Sequence, residues 1–118
     1  MGRFTDDSSV SADFDDRELA HLQAVIVAKI RRGERFTFTW KIDISLGGGR
    51  TSVYLYPGVK LAFRYEGGHT PQLNPSWLRM LTDAANSPQG LHVLDEPAGR
   101  TPDQLARDAD RRNHPVEA

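Results

Sequence analysis

Few stretches of this 118-residue chain bring reactive side chains to spacings that could do chemistry. Gly47-Gly48-Gly49-Arg50-Thr51-Ser52 combines glycines with hydroxyls in the manner of a phosphate-cradling loop. That role needs Gly, four residues, then Gly-Lys-Ser/Thr, opening a helix whose first amides face the anion. Here the residues after the glycines alternate like a strand, so the segment reads as a flexible hairpin connection. Asp15, Asp16 and Glu18 have the types for general acid–base work, but helix capping and dipole complementarity account for them. The four histidines, His21, His69, His92 and His114, are scattered, and no pair has metal-ligand spacing. His21 is expected to be solvent-exposed. No serine stands in a recognisable order with a base. The absence of cysteine excludes disulfides, thiolate catalysis and cysteine-ligated metals. The expectation is a chain with no catalytic residues, no metal site and no cofactor.

The elements that must carry any site are easier to read. Phe36, Phe38, Trp40, Ile42 and Ile44 alternate with Arg35, Thr37, Thr39, Lys41 and Asp43, which predicts a strand over Arg35–Ile44 with one buried face. Thr51–Tyr56 and Lys60–Glu66 follow as strands, with Pro57-Gly58 between them. Short connections predict that these three form an antiparallel meander. Upstream, Arg3–Thr5 and Val10–Phe14 read as short strands. Asp15-Asp16-Arg17-Glu18 reads as a capping box in which Glu18 reaches back to the cap. The helix it opens runs to about Arg32, with Leu19, Leu22, Ile26 and Ile30 as its apolar stripe and Gly33 as its stop. Ala20, Ala24, Val27 and Ala28 widen the apolar arc, which predicts a face either buried between layers or packed against a partner, with burial favoured because the outward patch is small. Asn74-Pro75 opens a second helix, and Leu91–Leu94 is a last strand. The order β-(β)-α-β-β-β-α-β predicts an α+β domain over residues 1–96, with both helices on one face of a mostly antiparallel sheet. Residues 97–118 hold three of the seven prolines and only Leu105 and Val116 as bulky apolar residues, which predicts a polar tail, mobile or loosely helical.

Asp15-Asp16-Arg17-Glu18-Leu19-Ala20-His21-Leu22 and Lys29-Ile30-Arg31-Arg32-Gly33-Glu34 resemble a family of short, mostly uncharacterised actinobacterial proteins. Asn74–Trp77, Ala85-Asn86-Ser87 and Gly90-Leu91 resemble it too. Its members often carry the label ATP-dependent DNA ligase, so the resemblance implies a cytosolic actinobacterial protein and a nucleotidyltransferase name. Covalent nucleotidyltransfer needs a lysine nucleophile in a Lys-x-Asp-Gly motif. This chain offers Lys41-Ile42-Asp43-Ile44 without the glycine, and its domain is small for a site that must hold ATP, a metal and a nicked duplex. Read by themselves, Lys41 and Asp43 are polar residues on the solvated side of a strand.

That solvated side is the most informative surface. Parity requires inward residues to oppose inward residues. A three-residue loop at Pro57 pairs Tyr56 with Lys60, Tyr54 with Ala62 and Ser52 with Arg64. A six-residue glycine turn sets Lys41 beside Tyr54 and Thr39 beside Tyr56. The candidate binding face is then Arg35, Thr37, Thr39, Lys41, Tyr54, Tyr56, Lys60 and Arg64. The formal net charge of −1 excludes bulk coating of DNA, yet residues 1–18 carry −4 and residues 29–64 carry +6, so a local anionic partner fits. Three readings of the face stay open. It is an ordinary exposed sheet surface, an interface for a protein partner or for a second copy in a homodimer, or a single-stranded nucleic-acid platform. No apolar run approaches the ~18 residues of a membrane span, and Met1–Val10 lacks the order of a secretion signal. A non-catalytic binding module in the cytoplasm, without a membrane partner, is the expectation.

Overall fold

The computed structural model of the protein describes residues 1–7 and 9–97. The expected tail beyond Pro97 lies outside the described residues. The element order is β1 (Gly2–Asp6), β2 (Ser11–Phe14), α1 (Asp16–Arg31), β3 (Phe36–Lys41), β4 (Arg50–Leu55), β5 (Leu61–Arg64), α2 (Pro75–Ala85) and β6 (Leu91–His92). This is the α+β order expected from the sequence. The strands form two three-stranded sheets rather than one, in the orders β2–β1–β5 and β4–β3–β6. All pairings are antiparallel except β3 with β6.

The two sheets meet through aromatic side chains. Phe4 of β1 is fully buried, and its ring lies 5.3 Å from that of Phe38 and 5.9 Å from that of Trp40, both on β3. Phe14 approaches the same two rings from β2 at 6.1 and 6.3 Å. The expected meander does not form, because β5 leaves β4 and pairs with β1 instead. The register there is Phe4 opposite Phe63, with their rings 5.6 Å apart. The inward triplet Leu61, Phe63 and Tyr65 fits either sheet equally well by parity. The position of Phe4 decides which sheet it joins, and no local spacing encodes that.

α1 is capped by Asp15, whose side chain accepts from the Arg17 amide at 3.2 Å. Among the described residues the return bond expected from Glu18 is not made. α1 packs on β1 and α2, and α2 packs on β3 and β6. His21, expected at the surface, is fully buried and joins the two helices. Its Nδ1 lies 2.7 Å from the Arg17 carbonyl oxygen, which can only accept, so Nδ1 carries the proton. Nε2 then accepts from the Asn74 amide at 2.7 Å. The ring lies 4.4 Å from that of Trp77. Asn74 caps α2, its Oδ1 accepting from the Ser76 amide at 3.0 Å and the Trp77 amide at 3.4 Å.

A second polar clamp lies at the other end of α1. The Lys29 side chain is buried, and its Nζ donates to Asn86 Oδ1 at 2.5 Å, lies 3.3 Å from Glu34 Oε1 and stands 5.5 Å over the Phe36 ring. The widened apolar arc of α1 is not buried between layers. Ala20 and Ala24 are half-buried, and Val27 and Ala28 are exposed. The core takes the Leu19/Leu22/Ile26 stripe with Val25, all buried, and Ile30 packs partly buried against it, so Val27 and Ala28 stay in solvent while the loop over residues 67–73 stands beside Ala20 and Ala24.

The segment after β6 is held in place by charge. Arg17 Nε and Nη2 donate to both carboxylate oxygens of Glu96, at 2.8 and 2.7 Å, and Arg17 Nη1 donates to the Gln72 carbonyl at 2.8 Å. Asn74 Nδ2 adds a bond to Glu96 Oε2 at 2.9 Å. The Arg17 bonds first, then the Asn74 bond, hold the Glu96 carboxyl down at about 2, from an ordinary value of 4.5. A depressed carboxyl stabilises the fold above its unfolded pKa and loses that contribution as pH falls through the folded one. Glu96→Gln is expected to cost ~1–2 kcal/mol at neutral pH, the range for a partly exposed charge-assisted pair. The gap between wild type and variant should persist above about pH 4.5 and close toward about pH 2. Urea unfolding of both proteins across that range measures it.

Candidate binding face

The outer face of the β4–β3–β6 sheet is built by alternation. Phe36, Phe38 and Trp40 point into the core, which sends Thr37, Thr39 and Lys41 to the other side. On β4, Val53 and Leu55 are buried while Arg50, Ser52 and Tyr54 are exposed. The register pairs Thr37 with Tyr54, Thr39 with Ser52 and Lys41 with Arg50. It is displaced by four residues from the register expected for Lys41, which was set beside Tyr54. The cause is the connection. β3 ends at Lys41, and Asp43 caps a 3₁₀ turn over Ile44–Leu46, its Oδ1 accepting from the Ser45 amide at 3.1 Å. Ile42 and Ile44 are thus not inward strand residues, and the loop is longer than the six residues anticipated. An even displacement preserves the faces.

The structure separates the eight candidate residues. Thr37, Thr39, Lys41 and Tyr54 share this face. Arg35 and Tyr56 flank it, directly before β3 and after β4. Lys60 and Arg64 do not join it. Arg64 ends β5 in the other sheet, opposite Arg3, and Lys60 precedes that strand. The pairings of Tyr54 with Ala62 and Ser52 with Arg64 are therefore not formed.

Polar contacts order the face. Thr39 Oγ1 and Ser52 Oγ lie 2.6 Å apart, and Thr37 Oγ1 donates to the Gln89 carbonyl at 3.3 Å. Gly90 is at φ +81°, and a Cβ there would come within 2.6 Å of the Thr37 carbonyl oxygen, so a glycine is required where the chain enters β6. Tyr54 and Tyr56 stack with ring centres 6.0 Å apart and planes inclined by 30°. Lys41 and Arg50 are exposed, directly opposite each other, and neither has an ion-pair partner among the described residues. The adjoining tip carries the two most exposed large hydrophobic residues described, Ile44 at 89% and Leu46 at 79%.

An open groove of about 1010 Å³ runs beside this surface. Thr37, Thr39, Lys41, Arg50, Ser52 and His92 line it, together with Asp13, Glu18 and Asp95. Burial first, then the charges of Asp15 and Asp95, push the Glu18 carboxyl up. Asp13 is neutralised by Arg3, 2.8 Å away. The groove is thus bipolar, with unpaired cations and crowded carboxylates on its walls. Arg50, Glu18, His92 and Asp95 were not among the candidates. Arg50 lies one residue before the strand expected from Thr51 and joins it in the structure, while Glu18 and Asp95 reach the groove only through tertiary packing. A second pocket, about 460 Å³, lies between Ala20, Gln23 and Ala24 of α1 and the loop from Gly67 to Leu73. Tyr65 also lines it, its hydroxyl donating to Gln23 Oε1 at 2.5 Å.

Like charges directly opposite on neighbouring strands oppose folding. Arg50→Glu replaces that repulsion with a Lys41–Glu pair and is expected to raise stability by ~0.2–1 kcal/mol. The urea midpoint should move up at unchanged slope.

A family model described as Domain of unknown function (DUF7882) matches residues 1–96. No curated protein and no solved structure matches the chain. No helix among the described residues is long and apolar enough to cross a membrane.

Proposed function

We propose that this chain, which belongs to the DUF7882 family, is a non-catalytic protein-interaction module whose working surface is the outer face of β4–β3–β6 with the β3–β4 tip. The observation that carries this reading is the tip itself. Ile44 and Leu46 are held almost fully in solvent by a capped turn in which Gly47 and Gly48 donate backbone bonds to Ile44 and Asp43, at 3.1 Å each. Exposed apolar side chains on an ordered turn, next to tyrosines and an arginine, have the composition of a protein contact. The bipolar groove favours a partner that itself carries both charges. A cytoplasmic setting belongs to the same proposal.

Single-stranded nucleic acid is the second reading, favoured by the Tyr54/Tyr56 stack beside Lys41 and Arg50. The carboxylates of Glu18 and Asp95 on the same groove weigh against a polyanion. The nucleotidyltransferase reading finds less support, since Lys41 ends a strand opposite Arg50 and Asp43 serves as a turn cap.

A photo-crosslinking amino acid at Leu46 in the native host should yield a protein adduct, and one at Asp83 on the exposed side of α2 should not. Equal yields at the two sites overturn the protein reading. Oligonucleotide binding that falls steeply with salt and is lost in Lys41→Ala plus Arg50→Ala would establish the second reading in its place. A Lys41-dependent adduct with labelled ATP would establish the third.

A further inference from the structure

Resting on that reading, we infer that the partner for strand β4 is β4 of a second copy of this chain, paired antiparallel about a two-fold axis at Ser52. β4 is an outer strand of its sheet, and no described strand pairs with its other side. At six residues it is the longest outer strand, against four in β2 and β5 and two in β6. Outer strands are usually guarded by proline, lysine, a bulge or shortness. β4 has no proline or lysine, its register with β3 is unbroken, and its single charge is Arg50 at the first position.

Symmetry and chemistry then select the register. An antiparallel pair of identical edges needs its axis perpendicular to the sheet, which keeps outer residues opposite outer residues. Centring on Ser52 sets Arg50 opposite Tyr54 of the second copy, and Thr51 opposite Val53. The guanidinium then lies against an aromatic ring instead of another cation. The row across the joined sheets reads Lys41, Arg50, then tyrosine and threonine from the second copy, so the cation pair is flanked by neutral groups. Moving the axis one residue toward Arg50 sets Arg50 opposite Ser52, which leaves the cation without a ring. Moving it one residue the other way sets Arg50 opposite Tyr56, which neighbours Arg35. The second copy thus contributes Tyr54 to a face that is incomplete without it, and the joined sheet has six strands.

The chain contains no cysteine, so single-cysteine variants of the full chain report the register directly. Ser52→Cys places two thiols across the axis, within disulfide reach. Tyr54→Cys places them about 14 Å apart along the strands and serves as the control. Mild oxidation should crosslink the first at least tenfold faster than the second. In sedimentation experiments the wild type should dimerise with concentration. Tyr54→Arg sets two guanidinium groups against each other across the axis and should weaken the dimer at least tenfold, and adding Arg50→Glu to the same chain should restore it. Equal crosslinking of the two cysteine variants, or a wild type that stays monomeric at several hundred micromolar, overturns the pairing. A monomer whose Leu46 photoprobe still captures another protein overturns the pairing alone and leaves the interaction reading standing. Loss of both overturns both.

Discussion

A buried, neutral imidazole holds this fold in register. His21 sits between a carbonyl that can only accept and an amide that can only donate, which fixes one tautomer. The second bond fixes Asn74, and Asn74 is at once the cap of α2 and a partner of Glu96. From there α2 aims Trp77, whose Nε1 donates to the Leu94 carbonyl at 2.8 Å. The segment from Leu94 to Glu96 is thereby tied to both helices. One wall of the groove descends from that tie, because Val93, Leu94 and Asp95 line it. Removing the imidazole would leave the Asn74 amide without its acceptor in a buried site. An unpaired buried polar group costs ~1–3 kcal/mol, a large share of a small domain's stability.

The same logic sets a side whose buried polar atoms are paired, Glu34 Oε2 excepted among the described residues, against an unsatisfied one. On the helical side, even the buried ammonium of Lys29 has an amide oxygen, a carboxylate and an aromatic face around it. Such a charge is tolerated only when it is enclosed by partners of this kind. On the outer sheet face the pattern reverses. Lys41 opposes Arg50, the Glu18 carboxyl is pushed up by burial and then by the charges of Asp15 and Asp95, and two large aliphatic side chains stand in water. Each of these carries a small penalty to folding that a substitution could relieve. On the proposed reading, a partner would cover the surface on which these penalties concentrate.

How much of this was legible from residue order follows from the range of each interaction. The strands, both helices, the Asp15 and Asn74 caps and the Gly33 stop rest on contacts a few residues long, and periodicity and capping chemistry reveal them. The four outward residues Thr37, Thr39, Lys41 and Tyr54 were legible for the same reason, since parity survives an error of register. The partner of β5 was not, because its inward triplet satisfies either sheet and only the distant Phe4 chooses between them. Nor was His21, because helical spacing places it off the Leu19/Ile26 stripe. The wall that buries it comes from a segment more than fifty positions away, as its bond to Asn74 shows.

The net charge of −1 takes on meaning only through this topology. Had β5 paired with β4, Lys60 and Arg64 would have joined Lys41 on one strongly basic sheet, the pattern expected of a nucleic-acid platform. Pairing β5 with β1 instead carries those two cations to the other sheet, where Arg64 faces Arg3. What remains beside the groove is one cation pair, set among the carboxylates of Glu18 and Asp95. A polyanion gains from the first and is repelled by the second, so its attraction to the groove largely cancels. On the proposed reading, a protein surface with both signs satisfies each end. The strand pairing that places Phe63 on Phe4 therefore does more than complete the core. On the proposed reading, it also shifts the balance on the opposite face from a phosphate backbone toward a protein.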